Sequence, residues 1–231
     1  MSPALVLFDI DGTLIRRAGP HHRQALVDAV RDVTGLETST DHIPVHGMLD
    51  TDIVARMLGD AGATPMRIRR SMARVLERAE VLYVRRGPDL RSKICPGVRP
   101  LLARLARRGV PVGLVTGNLE RIGWKKMRRA GLRERFRFGA FAGMAPDRAG
   151  LVRLAVRRAR REGWIARDAR ITLIGDAPSD ILAARANGIQ SIAVRTGIST
   201  VEELLAEKPD LLLDDLRSLP WAALGVRRDY S

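Results

Sequence analysis

Acidic side chains stand directly after two short apolar runs of the sequence. Asp9 and Asp11 end the first run of the chain, and Asp176 and Asp180 follow a later one. In extended backbone, residues two apart point to the same side, so Asp9 and Asp11 are expected to face one site. Two carboxylates this close repel unless a cation or a shared proton lies between them. Because Mg²⁺ prefers a few carboxylates together with water and phosphate oxygens, these acids predict a magnesium site.

A phosphate-binding turn is predicted where another apolar run ends in Thr116-Gly117-Asn118. A threonine hydroxyl and the backbone N–H groups of glycine and asparagine, placed at the start of a helix, suit an oxyanion or a phosphate. Gly12 frees the backbone after Asp11 and is expected to bring N–H groups near the same anion. Taken alone, the triplet is more often an ordinary strand-to-helix turn.

Histidine and cysteine offer no competing metal site. His21 and His22 are adjacent and should point apart on a helix, whereas His42 and His46 lie in a predicted loop. Zinc is therefore not expected, since it is held by clusters of such residues. The single cysteine, Cys95, excludes an internal disulfide and is predicted to be a packing residue.

Five apolar runs alternate with amphipathic helical patterns, which predicts the elements that position these side chains. The runs cover residues 4–8, 110–115, 171–174, 191–194 and 211–213, and the helical patterns cover about 97–108, 119–130, 147–162 and 178–187. Such alternation indicates an α/β fold with a parallel sheet covered on both faces. Right-handed crossovers bring the C-terminal ends of the strands to one edge, where ligands bind.

Residues 16–91 interrupt this alternation. They contain helical patterns at about 19–34, 50–60 and 65–86 and no strand. Their Met and Leu stripes recur at helical spacing and predict packing surfaces between helices. We therefore expect a small helical domain over 16–91, beside a core formed by residues 1–15 and 92–231.

The order of the motifs, each at the end of a predicted strand, resembles the haloacid dehalogenase superfamily. Asp9-Ile-Asp-Gly-Thr-Leu14 is similar to its first motif, Thr116 to its second and Gly175-Asp176 with Asp180 to its fourth. The segment His46–Ile53 is similar, in an imperfect register, to a cap segment of the phosphoglycolate phosphatase-like branch. The resemblance implies a Rossmann-like core with the helical segment as an inserted cap.

One motif departs from the superfamily pattern. A lysine usually precedes the fourth motif, but no lysine lies between Lys126 and Asp176 in this sequence. Arg148, at a predicted helix start, is the expected replacement, because arginine can donate two bonds to phosphate or to Asp9. A plain surface charge at that helix start is the other interpretation. Lys125 and Lys126 are alternatives, although both fall well inside a predicted helix.

The resemblance and the placement of charge together imply a phosphatase mechanism. Asp9 attacks phosphorus and forms an aspartyl-phosphate, and Asp11 protonates the leaving alcohol and then deprotonates water. Mg²⁺ is expected on Asp9, Asp176 and the backbone carbonyl of Asp11, with Asp180 orienting water beside it. The phosphoryl oxygens are expected to bind Thr116, Arg148 and the Gly12 region.

Other activities remain open at this stage. A dehalogenase is disfavoured because it expels halide and needs no second acid at position 11. A phosphomutase could use the same residues if the cap excluded water, and a non-catalytic binding protein could keep the fold. The expected substrate is a small phosphorylated metabolite, such as 2-phosphoglycolate or a sugar phosphate, selected around His46–Asp52 and Arg16-Arg17.

The chain of 231 residues carries a net charge of +14, and 36 of its 40 basic residues are arginines. The arginines are dispersed and aromatic residues make up only 4%, which favours a solvated surface over a nucleic-acid face. The apolar runs are too short to span a bilayer, and no basic segment precedes a long apolar run at the N-terminus. These features predict a cytoplasmic protein that does not bind membranes.

Overall fold

Six parallel strands form one sheet in the computed structural model, which describes residues 1–16 and 18–225. The strands are β1 (Ser2–Phe8), β2 (Val112–Val115), β3 (Phe138–Ala140), β4 (Ile165–Gly175), β5 (Gln190–Val194) and β6 (Leu211–Leu213). Their order across the sheet is β3-β2-β1-β4-β5-β6. The predicted α/β fold with a parallel sheet is therefore confirmed.

Eight α-helices accompany the sheet in the described part of the chain. They are α1 (His21–Thr34), α2 (Asp50–Asp60), α3 (Pro65–Arg86), α4 (Val98–Arg107), α5 (Glu120–Ala130), α6 (Arg148–Arg161), α7 (Pro178–Ala186) and α8 (Val201–Ala206). Several ends follow from local chemistry. Thr64 caps α3 ahead of Pro65, and the Asp147 side chain accepts from Gly150 N at the start of α6.

The two faces of β1 pack against different sets of helices. Leu5 and Leu7 join an apolar cluster with α6 and with α1–α3. Val6 and Phe8, which point the other way, join a second cluster with α4 and part of α5, where Cys95 is also buried. Burial on both faces explains why the strand is continuously apolar.

Helices α1, α2 and α3 pack on one another and lie beside the carboxyl edge of the sheet. Their buried contacts include Leu26, Val54, Met57, Val75 and Tyr83. The helices predicted over 19–34, 50–60 and 65–86 are thus confirmed. The Met and Leu stripes are packing surfaces, except at Met66, which is 55% exposed. The division into a core and a cap with boundaries at 16 and 91 stays a prediction.

Two elements were not predicted from the sequence. Strand β3 has only three residues and α8 has only six. Strand β4 also begins six residues before the predicted run, because Arg167, Asp168 and Arg170 interrupt its apolar pattern. None of the helices in residues 1–16 and 18–225 is both long and apolar enough to cross a membrane.

Candidate active site

The register of the central strands brings the predicted motifs to one edge. Phe8 at the end of β1 pairs with Leu114 of β2 on one side and with Ile174 of β4 on the other. Asp9 is the next residue after β1. Thr116 and Asp176 each follow two residues beyond the paired positions, so all three meet at the carboxyl edge of the sheet.

Three carboxylates form a compact cluster at this edge. Oxygens of Asp9, Asp176 and Asp180 all lie within 4.8 Å of one another, and the three residues are buried. Thr13, which is also buried, donates to Asp176 Oδ1 at 3.0 Å. The other oxygen, Asp176 Oδ2, is buried and has no hydrogen-bond partner among the described residues. A free carboxylate oxygen inside an acid cluster fits a hard divalent cation.

The crowding of these acids shows in their pKa values. Burial raises the pKa of Asp9, the charge of Arg148 opposes this shift and the charges of Asp180 and Asp11 add to it, so that the pKa is raised to about 7. Burial, followed by the charges of Asp9 and Asp180, raises the pKa of Asp176 well above its ordinary value. The cluster therefore favours any group that adds positive charge between these oxygens.

The space around Asp176 is fitted closely by glycine backbone. A Cβ on Gly12, whose φ is +90°, would overlap the Asp176 carboxylate, and so would a Cβ on Gly197. The Gly12 amide donates to Ile15 O at 2.7 Å and thus closes the turn after Asp11. This N–H is thus engaged within the turn. The role of the Gly12 region in binding phosphate stays a prediction.

Arg148, at the first residue of α6, reaches into the acid cluster. Its Nη1 donates to Asp9 Oδ1 at 3.2 Å and to Asp180 Oδ1, and its Nη2 donates to Gly47 O at 3.4 Å. The residue is only 8% exposed. The interpretation of Arg148 as a surface charge is therefore wrong. Whether it serves a phosphoryl group remains a proposal.

A second cation, Lys126 of α5, meets the other acid of the first motif. Its Nζ lies 2.5 Å from Asp11 Oδ2 and 2.5 Å from Asn118 Oδ1, and the residue is 1% exposed. Burial tends to raise the pKa of Asp11, but the charges of Lys126 and His22, with hydrogen bonds from Lys126 and Asn118, hold it below its ordinary value. Lys126, one of the two lysines kept as alternatives to Arg148, therefore contacts an acid of the first motif although it falls well inside its helix.

The Thr116–Asn118 turn is ordered by its own side chains. Asn118 Nδ2 donates to Thr116 Oγ1 and to Asp11 Oδ2, both at 2.8 Å. The Asn118 backbone N–H points to Thr116 Oγ1 at 3.4 Å. The turn thus lies beside Asp11. Roles for Thr116, Gly117 and Asn118 in phosphate binding stay predictions.

The helical segment covers this edge through residues 46–50. Gly47 O accepts from Ser179 Oγ at 3.1 Å as well as from Arg148. A Cβ on Gly117 would overlap Met48 O, so the two backbones touch. His46 Nε2 donates to or accepts from Ser199 Oγ at 2.8 Å and lies 3.5 Å from Asp176 Oδ2.

A cavity of about 990 Å³ lies between this segment and the sheet edge. Its lining includes Asp9, Asp11, Asp176, Lys126 and Arg148 from the site. From the regions expected to face substrate it includes Arg16, His46, Gly47, Met48 and Asp50. Arg17, the other residue expected there, lies outside the described residues.

Sequence reasoning missed His22 and the reach of Lys126. The sequence argument considered His22 only as a zinc ligand, for which two adjacent histidines point apart on a helix, yet His22 Nδ1 lies 3.1 Å from Lys126 Nζ. One signal was available for Lys126. It shares the spacing of Ile122 and Ala130 on the buried stripe of α5, where a lysine is costly unless it is paired.

Comparisons with known proteins identify the family. A family model described as haloacid dehalogenase-like hydrolase matches residues 3–188. The phosphoglycolate phosphatase of Synechococcus elongatus is 29% identical over 96% of this chain and 98% of its own length. The phosphoglycolate phosphatase of Pseudomonas fluorescens Pf-5 is 27% identical, covering 94% of this chain and 78% of its own.

Similar solved structures share the fold. CbbY from Rhodobacter sphaeroides, crystallised with xylulose-(1,5)bisphosphate, has a TM-score of 0.73 at 23% identity and covers 96% of this chain and 98% of its own. A beta-phosphoglucomutase from Clostridium difficile has a TM-score of 0.69 at 19% identity, covering 97% and 96%. At these identities the similarity concerns the fold alone.

Proposed function

The chain belongs to the haloacid dehalogenase-like hydrolases, and on this premise we propose that it is a phosphatase acting on small phosphate monoesters through an aspartyl-phosphate at Asp9. One observation carries the proposal. The Asp9 carboxylate is buried at the end of β1, contacts the Arg148 guanidinium and lies among two further acids at the floor of a cavity. Such a carboxylate is placed to attack an anion only if positive charge surrounds both groups.

Positive charge around Asp9 comes from the chain and from a metal ion. Arg148 is already in contact with Asp9 and can also donate to a phosphoryl oxygen. Mg²⁺ is the proposed cofactor, held by Asp9, Asp176 and the backbone carbonyl of Asp11, with Asp180 alongside. When bound, it would supply the charge that offsets the repulsion between the nucleophile and a phosphate dianion.

Asp11 is the proposed acid and base. Its side chain is 42% exposed and lines the cavity, so it can reach the oxygen of a leaving alcohol. The Lys126 ammonium favours the carboxylate form of Asp11, which is the form that accepts a proton from the attacking water in the second step. In the first step, a protonated Asp11 would donate to the leaving oxygen.

Proposed substrates follow from the curated relatives. Two phosphoglycolate phosphatases match almost the whole chain, so 2-phosphoglycolate and small sugar phosphates are the first compounds to test. No contact in the described residues favours the phosphomutase alternative over hydrolysis. A cytoplasmic location and the absence of nucleic-acid binding remain predictions.

The proposal is tested by phosphate release from p-nitrophenyl phosphate and a panel of small monoesters with Mg²⁺. We expect Asp9→Asn to abolish release, because the amide is not a nucleophile. Asp168→Asn is the matched control, since Asp168 is exposed near the other end of the sheet. Inactivity of the wild-type protein across the whole panel would contradict the proposed function.

A further inference from the structure

The ammonium group of Lys126 has all three of its hydrogen-bond donors used. Two acceptors belong to the sheet edge, Asp11 Oδ2 and Asn118 Oδ1, each at 2.5 Å. The third is His22 Nδ1 on α1, at 3.1 Å. An ammonium can only donate, so Nδ1 accepts and the His22 proton lies on Nε2.

The other side of His22 leads back to the sheet edge through Asp50. His22 Nε2 donates to Asp50 Oδ2 at 2.9 Å, and the same oxygen accepts from Leu119 N at 2.8 Å. The Asp50 backbone N–H also donates to Gly117 O at 2.8 Å. Asp50 is 2% exposed. The chain of bonds therefore begins at Asp11, passes through α1 and α2, and ends on the turn that precedes α5.

This arrangement fixes one oxygen of Asp11. The bonds from Lys126 and from Asn118 Nδ2 both fall on Oδ2, while the side chain stays 42% exposed in the cavity. Lysine is long and flexible, so its ammonium is held in one place only by several partners. His22 adds a third contact, from the helical segment. A buried ion pair is weak evidence for stability, and a methionine would fill this position on the apolar stripe of α5.

We propose that Lys126 is a positioning residue for Asp11, held in place from the helical segment by His22 and Asp50. The inference rests on the proposed phosphatase function and adds residues that the superfamily motifs do not include. It also links helices α1 and α2 to the sheet edge that carries Asp11. Because His22 lies on α1 and Asp50 on α2, the third acceptor of Lys126 depends on these helices lying over the sheet edge.

The test compares two esters whose leaving groups differ in their need for a proton. p-Nitrophenolate leaves readily without one, whereas the alkoxide of a simple alkyl phosphate requires protonation by Asp11. The value of kcat/KM reports the steps up to phosphoryl transfer to Asp9. Removing the ammonium makes Asp11 easier to protonate, but we expect the loss of its fixed orientation to outweigh this gain. Lys126→Met should therefore lower kcat/KM about 100-fold on the alkyl ester and less than about fivefold on p-nitrophenyl phosphate.

Three further variants separate positioning from a general effect on structure. His22→Asn keeps an acceptor near the place of Nδ1 and should retain most activity on the alkyl ester, whereas His22→Leu should lose it. Lys125→Met removes the neighbouring charge of α5 and should leave both esters unaffected. In an Asp11→Asn background, Lys126→Met should cause no further loss on the alkyl ester, because the two residues act as one unit.

Equal losses on both esters, or full additivity with Asp11→Asn, would overturn the inference and leave the phosphatase proposal standing. A wild-type protein that releases phosphate from no ester would overturn both. If Lys126→Met does not fold, the His22→Asn and His22→Leu pair decides the question, with equal activity of the two counting against it.

Discussion

Replacing Arg148 by alanine removes a guanidinium that contacts Asp9. Its Nη1 lies 3.2 Å from Asp9 Oδ1 and also bonds Asp180, and the residue is 8% exposed. At an effective dielectric constant of about 20, unit charges 3.2 Å apart attract by about 5 kcal/mol. Only the part of this energy that is larger in the transition state than in the ground state accelerates the reaction.

We therefore estimate the effect of removing Arg148 from the cost of losing one preorganised donor, which is about 2.7–4 kcal/mol or a 10²–10³-fold decrease in rate. Arg148→Ala should lower kcat/KM for p-nitrophenyl phosphate by this factor. Arg148→Lys should lose about tenfold, because one ammonium keeps the charge but cannot reach Asp9, Asp180 and Gly47 O together.

Arg153→Ala is the control, since Arg153 is exposed on the same helix. Thermal unfolding of each variant shows whether the fold survives the loss of a buried partner to two carboxylates. An Arg148→Ala protein that is folded and keeps kcat/KM within about twofold would refute the reasoning.

Three further predictions concern the metal site and stability. Gly197→Ala should reduce phosphate release more than 100-fold, since its Cβ would overlap Asp176, whereas Gly59→Ala, with open space around it on α2, should raise the free energy of unfolding by about 0.5–1 kcal/mol. Equal behaviour of the two variants in activity and urea unfolding would contradict this. EDTA should abolish phosphate release and added Mg²⁺ restore it, and activity that resists exhaustive chelation would count against a metal site. A hydrogen bond from Gln24 lowers the pKa of Asp28. Burial acts in the opposite direction, whereas a hydrogen bond from Arg86 and the charges of Arg31 and Arg86 lower the pKa further. The Asp28 carboxylate should therefore contribute about 1 kcal/mol to the free energy of unfolding above pH 3.8, its ordinary pKa, and this contribution should be lost as the pH falls below that value. Urea unfolding of Asp28→Asn should differ from that of wild type at pH 7 and match it in strong acid.

The sequence predicted the parallel sheet because its central strands are buried on both faces and are continuously apolar. Helix bounds at α2 and α3 agreed closely, since Thr64-Pro65 marks a start and the apolar spacing is regular. Strand β3 escaped because three residues are too few to display a period. Helix α8 carried a usable signal, a capping box in which Thr200 and Glu203 bond each other's backbone.

The site residues that directly follow strands were the easiest to predict from the sequence. Asp9, Thr116 and Asp176 follow strands, so parallel pairing alone brings them together. Lys126 and His22 reach the site from helices, one from the middle of α5 and the other from the start of α1. Their meeting depends on how α1 packs over the sheet edge, which the spacing of motifs along the chain does not encode.

In the proposed mechanism, Asp9 forms a covalent bond to phosphorus. Wild-type protein mixed with a ³²P-labelled monoester and Mg²⁺ and quenched in acid within milliseconds should carry label that hydroxylamine removes, as expected of an acyl phosphate. Peptide mapping should place this label on Asp9, and Asp9→Asn should carry none. Label on another residue, or rapid phosphate release with no labelled protein at any quench time, would contradict the account.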